Sequence, residues 1–125
     1  MNTALWIIQG LLAFIFFMAG FIKLARPKNE LKEKIGDWVD AVSSPVLKLI
    51  GLLEFLGAFG LILPMALDIL PILTPFAAIG LGLTMAVALI IHLQRRENEK
   101  AGVNLVLFVF TVFVAVGRFT VSPVI

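Results

Sequence analysis

The sequence predicts an all-α integral membrane protein, a four-helix bundle with a short amphipathic interfacial helix between its first two spans. Two observations carry this prediction. Hydrophobic residues make up 61% of the 125-residue chain and charged residues only 14%, whereas soluble domains have about 45–50% and about 25%. The apolar residues also gather in four long runs, at about residues 5–24, 46–63, 72–93 and 103–121.

Each of these runs approaches the roughly 20 residues that a helix needs to cross a bilayer of about 30 Å. Lipid cannot hydrogen-bond the backbone, so we expect each run to be a helix. The spans and their connections account for the chain, which predicts a single transmembrane domain over residues 1–125 and no separate catalytic domain. No Lys or Arg precedes the long first run, so we expect it to remain as a span rather than to be removed as a signal peptide.

Positive charge is strongly one-sided along the chain. Nine of the ten Lys and Arg residues lie in or beside the two connections that follow the first and third spans, and Arg118 is the exception. Basic connections stay on the cytoplasmic side of a membrane. We therefore expect a multi-pass protein of a prokaryotic plasma membrane with both termini outside. Because the charges belong to these connections, they give no indication of nucleic acid binding.

The connection between the first two spans has a helical pattern of its own. Its apolar residues recur at helical spacing, and Lys and Glu cover the remaining positions: the apolar set is Leu31, Ile35, Trp38, Val39 and Val42. The pattern predicts an amphipathic helix over residues 29–42 that lies on the cytoplasmic interface, with Trp38 as an anchor at headgroup level. The alternative is a polar loop that folds over the end of the bundle.

Prolines mark the ends of the predicted spans. Ser44-Pro45 and Thr74-Pro75 each have the pattern of a helix start, with Ser or Thr as the N-cap and Pro in the first turn. Pro64 is predicted to end the second helix.

The stretch GLLEFLGAFG, residues 51–60, places a carboxylate inside the second span. Glu54 lies about 12 Å into that span, at about 1.5 Å per residue, so its short side chain cannot easily reach water. Gly51, Gly57 and Ala58 share its helical face, and small residues mark packed faces in lipid. We therefore expect Glu54 to face a neighbouring helix. Such a buried acid indicates a functional site, and a purely structural hydrogen bond or ion pair is the alternative.

Every span contributes at least one polar residue to a candidate binding site. The predicted polar cluster is Lys23, Glu54, His92, Asn104 and Arg118. Glu54 could be approached by Lys23 or His92 from the cytoplasmic side and by Arg118 from the other side, and the spacing leaves the pairing open. In the alternative, Lys23 and Arg118 extend to the headgroups and His92 is an interfacial residue. The pattern assigns no catalytic residue.

The chain has no cysteine and one histidine. These counts exclude disulfides, thiolate metal sites and a bis-histidine haem within one chain. We expect no metal site, and a quinone is the one candidate cofactor. The sequence therefore favours a protein that is not a self-contained enzyme.

Four segments of this chain resemble the DoxX-like family of small four-helix membrane proteins. They are AGFIKL at residues 19–24, GLLEFLGAFGLILP at residues 51–64, His92, and Gly117-Arg118. The resemblance covers nearly the whole chain and implies the same four-helix fold. Some relatives are similar to membrane subunits of thiosulfate:quinone oxidoreductases, others are associated with membrane-bound redox complexes, and vertebrate relatives act as assembly factors for receptors.

Three functions are consistent with these observations. The first is an accessory or assembly subunit that binds a membrane protein partner, a redox complex or a lipophilic ligand such as a quinone at the polar cluster. The second is a subunit of a quinone-linked oxidoreductase in which Glu54 relays protons with His92 or Lys23. The third is a small proton-coupled transporter. The oligomeric state is open, and a homo-oligomer is compatible with all three.

Overall fold

The computed structural model describes residues 1–123, which form helices and short connections and contain no strand. The structure has six α-helices in chain order: α1 (Asn2–Ala25), α2 (Lys28–Ile35), α3 (Ser44–Gly60), α4 (Leu63–Ala66), α5 (Leu73–Gln94) and α6 (Asn98–Val116). A 3-10 turn, Asp37–Ala41, follows α2, and a π-helical turn, Gly117–Val121, extends α6. Within residues 1–123, four segments are long and apolar enough to span a membrane, namely α1, α3 with α4, α5, and α6 with the π-helical turn. The predicted all-α bundle of four membrane helices is confirmed.

Most of the helices extend beyond the apolar runs that predicted them. Helix α1 begins at Asn2 rather than near residue 5, and α6 begins at Asn98 rather than near residue 103. An apolar run marks only the part of a helix that suits hydrocarbon, whereas backbone hydrogen bonding continues into the polar interface.

The predicted helix starts differ in their caps. Ser43, not Ser44, is the N-cap of α3, and its hydroxyl accepts a hydrogen bond from the Val46 backbone N–H at 3.4 Å. Helix α5 already begins at Leu73, and Thr74 Oγ1 donates to the Gly60 carbonyl at 2.8 Å instead of capping its own helix. Pro64 does not end α3, which stops at Gly60, but lies in the first turn of α4.

The helices pack as two close pairs, α1 with α3 and α5 with α6, and α3 and α5 join the pairs. The apolar core lies at this junction and includes Phe16, Leu61, Leu81 and Val114, each no more than 1% exposed. Large apolar side chains cover the outer surface instead, and Phe14 and Leu83 are 68% and 64% exposed. A soluble protein rarely exposes so much apolar surface, so this surface fits contact with a lipid bilayer.

Residues 26–43, here called the strap, fold over one end of the bundle. The predicted helix over residues 29–42 is only partly present, because Gly36 adopts φ 110° and separates α2 from the 3-10 turn. Backbone in this region favours glycine. Lys32 Nζ lies 2.8 Å from Asp40 Oδ2 across the break, and this ion pair raises the pKa of Lys32 and lowers the pKa of Asp40.

The strap packs inward rather than lying flat on the interface. Leu31, Trp38, Val39 and Leu47 form a second buried apolar cluster beneath the bundle. Trp38 is only 9% exposed, so its ring faces the bundle, which favours the alternative of a segment folded over the bundle end. We call the end that carries the strap and the α5–α6 connection the basic end, and the opposite end, where Asn2 and Arg118 meet, the terminal end.

Candidate functional site

A buried ion pair joins α1 and α3 in the half of the bundle nearer the basic end. Lys23 Nζ donates to Glu54 Oε1 at 2.7 Å, and the two side chains are 11% and 1% exposed. Of the partners that the sequence left open for Glu54, the structure selects Lys23. Removing either member of a buried pair leaves an uncompensated charge and costs about 3–5 kcal/mol.

Two glycines allow this pair to form. A Cβ on Gly51 would lie 2.7 Å from Lys23 Cβ, and a Cβ on Gly20 would lie 2.5 Å from the Phe55 backbone nitrogen. Real Cβ atoms do not approach other atoms so closely, so α1 and α3 can meet at this level only because both positions lack side chains. The close approach brings the lysine of one helix within hydrogen-bond distance of the carboxylate of the other.

His92, at the end of α5, is turned toward the α5–α6 connection rather than toward Glu54. Its Nδ1 lies 3.0 Å from Glu97 Oε1, and the ring is buried. An ionised carboxylate can only accept, so Nδ1 carries the proton and a neutral ring keeps Nε2 as an acceptor. Arg95 and Lys100 also contact Glu97, at 3.1 and 3.3 Å.

Glu97 is therefore the centre of a small charged cluster at the basic end. The His92 hydrogen bond is the main reason that the pKa of the Glu97 carboxyl lies below its ordinary value, and Lys100 and Arg95 lower it further. The carboxylate is 22% exposed, whereas His92 is buried directly behind it. This arrangement connects the surface of the bundle to its polar interior.

Trp38 forms the floor of the polar interior. Its ring meets the His92 ring edge to face at 5.5 Å, and Lys23 Nζ lies 5.9 Å from its centre. Its own Nε1 donates to the Ile35 carbonyl at 2.8 Å, so its polar atom is satisfied within the strap. The indole thus presents an apolar face to the polar interior and closes it at the end of the bundle that carries the strap.

A cavity of about 770 Å³, here the long cavity, runs along the seam between α3 and α5. Its lining reaches from Pro64 and Leu73 to His92, which at about 1.5 Å per residue along α5 is a length of about 28 Å. Lys23, Glu54 and His92 lie in its half nearer the basic end, and nearly all of the remaining lining is apolar. Ligand pockets typically have volumes of about 300–1,000 Å³ and similar linings.

A second cavity of about 330 Å³, here the short cavity, lies between α1 and α6 at the basic end. Four residues line both cavities, so the two adjoin there: Lys23, Trp38, His92 and Asn104. The Asn104 side chain forms no hydrogen bond within residues 1–123, which leaves its amide free to contact a ligand.

The structure places Arg118 at the terminal end, far from the other four residues of the predicted cluster. Its Nε donates to Gln9 Oε1 and its Nη1 to Asn2 Oδ1, each at 2.7 Å. Gln9 is oriented by its own donor bond to the Leu61 carbonyl at 2.7 Å. The predicted set therefore divides into Lys23, Glu54, His92 and Asn104 at one end and Arg118 at the other.

Three residues that contact members of the predicted cluster were not themselves among the predicted site residues. Gln9 had a signal, because it shares a heptad line with Lys23, and both are buried. Glu97 is one of several charges in a short connection, and Trp38 has the spacing of an interfacial helix. Neither pattern shows that these side chains point into the bundle. Within residues 1–123, no group of three or more His, Cys, Asp or Glu residues could hold a metal ion.

Comparison with curated proteins and with solved structures found no match for this chain. A model of the DoxX-like family matches residues 7–114, which include most of α1, all of α3 and α5, and most of α6. The matched range also contains the Lys23–Glu54 pair, His92 and the cavities, whereas Arg118 lies just outside it. Small multi-helix membrane proteins make up this family, in agreement with the four spans. The chain belongs to the DoxX-like family.

Proposed function

We propose that this membrane protein binds an elongated lipophilic molecule with a polar head, and that a quinone is the ligand chemistry that fits best. The observation that carries the proposal is the long cavity, which is apolar along most of its length and has its charged groups in the half nearer the basic end. A head group would lie against Lys23, His92 and Asn104, and an apolar tail would follow the α3–α5 seam.

The polar groups at the head position suit a molecule with carbonyl or hydroxyl oxygens. Lys23 uses one N–H for Glu54 and has further donors for a carbonyl oxygen. Asn104 offers a free amide that both donates and accepts, and His92 Nε2 accepts from a hydroxyl when the ring is neutral. A quinone has two carbonyl oxygens in its oxidised form and two hydroxyls in its reduced form, so these groups can hold either form.

Lateral entry from the bilayer supports a lipophilic ligand. Leu53 and Leu83 belong to the lining of the long cavity and are 47% and 64% exposed, so the seam opens toward the lipid. At the basic end the strap and Trp38 close the interior. A molecule dissolved in the membrane could therefore enter without crossing the polar interface.

An accessory or assembly role follows from the residues that the chain lacks. Quinone reduction needs an electron donor, and a sequence with no cysteine and one histidine has no ligand set for an iron–sulfur cluster or a bis-histidine haem. We therefore propose that electrons, where they are needed, come from a membrane protein partner that shares the ligand.

A proton relay is the second candidate function, and the His92–Glu97 contact favours it. Glu97 reaches the surface, its carboxylate contacts His92 Nδ1 at 3.0 Å, and the His92 ring lines the cavity that contains Glu54. With this tautomer, a ligand hydroxyl in the cavity could give its proton to Nε2 while Nδ1 gives its own proton to the Glu97 carboxylate at the surface. If Glu97→Gln leaves the pH dependence of quinone turnover in the native complex unchanged, this relay is not used.

Filling the cavity tests the ligand proposal. A Cβ on Gly80, which lines the long cavity, would meet no atom within 4 Å, so Gly80→Phe can fill the cavity without a backbone clash. Gly10 is equally open but does not line the cavity, so Gly10→Phe is the matched control. We expect purified wild type and the control to retain native quinone in nonionic detergent and Gly80→Phe to lose it. Equal quinone content in the two variants would contradict the proposal.

We also propose that the protein lies in a prokaryotic plasma membrane with its basic end in the cytoplasm. The concentration of Lys and Arg at that end supports this orientation. The chain has no cysteine, so single variants give clean labels. Asp68→Cys, at the terminal end, should react with an impermeant maleimide on intact cells, and Lys34→Cys, in the strap, should react only after lysis. The opposite labelling pattern would reverse the orientation.

A further inference from the structure

Arg118 is a buried cation whose partners are all neutral. The residue is 1% exposed, and Gln9 and Asn2 supply side-chain amide oxygens at 2.7 Å. Its remaining hydrogen bonds, from Nη1 to the Ser122 carbonyl and hydroxyl, are both 3.4 Å long. Within residues 1–123 no carboxylate forms an ion pair with Arg118, and Asp68, in the loop at the same end, is exposed.

One nitrogen of the guanidinium has no partner. Nη2 is buried and forms no hydrogen bond among the described residues. Buried polar groups are nearly always paired, and a buried charge without compensation is more costly still. Nη2 carries two N–H donors, so its missing partner is a hydrogen-bond acceptor. An acceptor that also balances the positive charge of the guanidinium is an anion.

The backbone around Arg118 is also irregular. Residues Gly117–Val121 form a π-helical turn, closed by a hydrogen bond from Ser122 N to the Gly117 carbonyl at 2.8 Å. Single π-helical turns are rare and occur often at functional sites. The turn begins at Gly117, against which the Leu5 side chain packs so closely that a Cβ on this glycine would lie 2.7 Å from Leu5 Cδ2.

We propose that Arg118 is the centre of a second binding site, at the terminal end, that takes an oxyanion with phosphate-like geometry. The anion would bind the free N–H groups of Nη2 and replace the long Ser122 contacts to Nη1, so that a small movement of Ser122 opens the site. A guanidinium matches two oxygens of such an anion with parallel, charge-assisted hydrogen bonds. The neutral amides of Gln9 and Asn2 hold the guanidinium in place without competing for its charge.

Two sources can supply this chemistry, a phospholipid headgroup and a free oxyanion from solution. Arg118 lies about 30 Å along α6 from Asn98, at about 1.5 Å per residue, which is near the opposite interface where lipid phosphates lie. The experiment must therefore present both sources separately.

Trp6 is a reporter beside this site, because its ring centre lies 5.5 Å from Arg118 Cζ. Trp38→Phe leaves Trp6 as the only tryptophan of the chain. The protein is purified in a maltoside detergent without phosphate and titrated with inorganic phosphate, with a short-chain phosphatidylglycerol, or with sodium chloride at matched ionic strength. We expect a saturable change in Trp6 emission with at least one phosphate-bearing ligand and none with chloride.

The three titrations have distinct outcomes. Saturation by inorganic phosphate indicates a site for a free oxyanion, and saturation by the lipid alone indicates a headgroup site. Arg118→Lys keeps the charge but loses the paired N–H groups, so it should weaken the saturable binding about tenfold. If neither phosphate ligand changes Trp6 emission, or if Arg118→Lys binds as well as its parent, the proposal is overturned. The first of these results needs no Arg118 variant, so the test stands even if that variant does not fold.

Discussion

The two ends of this bundle handle buried charge in different ways. At the basic end, Lys23 is neutralised by Glu54 at 2.7 Å, and the pair lines the wall of a cavity. At the terminal end, Arg118 is more deeply buried, yet within residues 1–123 it forms hydrogen bonds only to neutral oxygens. A buried charge that is paired with its own counterion can lie beside an apolar ligand. A buried charge without a counterion would be stabilised by a bound ion of opposite sign. This difference is the reason that we propose a neutral lipophilic ligand for the basic end and an anion for the terminal end.

The largest expected effect comes from breaking the ion pair. Lys23→Met removes the counterion of the buried Glu54 carboxyl, so we expect the free energy of unfolding to fall by about 3–5 kcal/mol. The double variant Lys23→Met/Glu54→Met replaces the pair by apolar side chains of similar length and should recover most of this loss. Denaturant titration in micelles measures both variants.

Arg118→Met is the matched change at the terminal end. It removes an uncompensated charge and leaves only the neutral amide oxygens of Gln9 and Asn2 without a partner, so we expect a smaller loss, of at most about 1–3 kcal/mol. If Arg118→Met loses as much stability as Lys23→Met, or if Lys23→Met/Glu54→Met is no more stable than Lys23→Met, the two ends do not differ as described.

A substitution at Gly51, with an intermediate expected effect on stability, tests whether the close approach of α1 and α3 allows the Lys23–Glu54 pair to form. Gly51→Ala introduces a Cβ 2.7 Å from Lys23 Cβ and should force α1 and α3 apart, at a cost of about 1–3 kcal/mol. Gly10→Ala is the control, because its Cβ would meet nothing within 4 Å. The same titration measures both variants. If the two substitutions have equal effects, the close approach at Gly51 does not hold the pair together.

The smallest expected effect is a pH dependence at the basic end. The pKa of Glu97 is lowered chiefly by the His92 hydrogen bond, so this carboxylate stabilises the folded protein above its unfolded pKa. That contribution is lost as the pH falls through the lowered pKa of the folded state. The difference in melting temperature between wild type and Glu97→Gln should therefore shrink as the pH is lowered from 7 into this range.

Glu99→Gln provides the control for this titration, because Glu99 is exposed and forms none of the contacts of Glu97. The difference in melting temperature between wild type and Glu99→Gln should not shrink in this way as the pH is lowered. A Glu97→Gln difference that stays constant with pH would show that the charged cluster around Glu97 contributes nothing to folding.

Much of the fold was predictable because each span carries a strong local signal. Four apolar runs predict four helices, and the small residues beside Glu54 predict that its side chain faces another helix. Helical spacing, however, gives only the face and the depth of a residue and not the neighbour that it meets there. This is why Lys23, His92 and Arg118 were equal candidates for Glu54, although only Lys23 contacts it.

The strap shows the same limit at the level of a segment. An amphipathic pattern indicates which side of a helix is apolar, and both a membrane surface and a bundle end can cover that side. The break at Gly36, which adopts φ 110°, turns Trp38 under the bundle, and no residue spacing reports that turn. The contact of Glu97 with His92 depends likewise on the path of a short connection.

The central claim is that the cavity at the basic end, and not the terminal end, takes a lipophilic ligand with a polar head. The two tryptophans allow a direct test, because Trp38 lines both cavities and Trp6 lies beside Arg118. Trp6→Phe leaves Trp38 as the reporter of the basic end, and Trp38→Phe leaves Trp6 as the reporter of the terminal end. Both proteins are titrated with a short-chain quinone in lipid nanodiscs. We expect saturable quenching of Trp38 and only weak, non-saturating quenching of Trp6; equal, non-saturating quenching of both would contradict the claim.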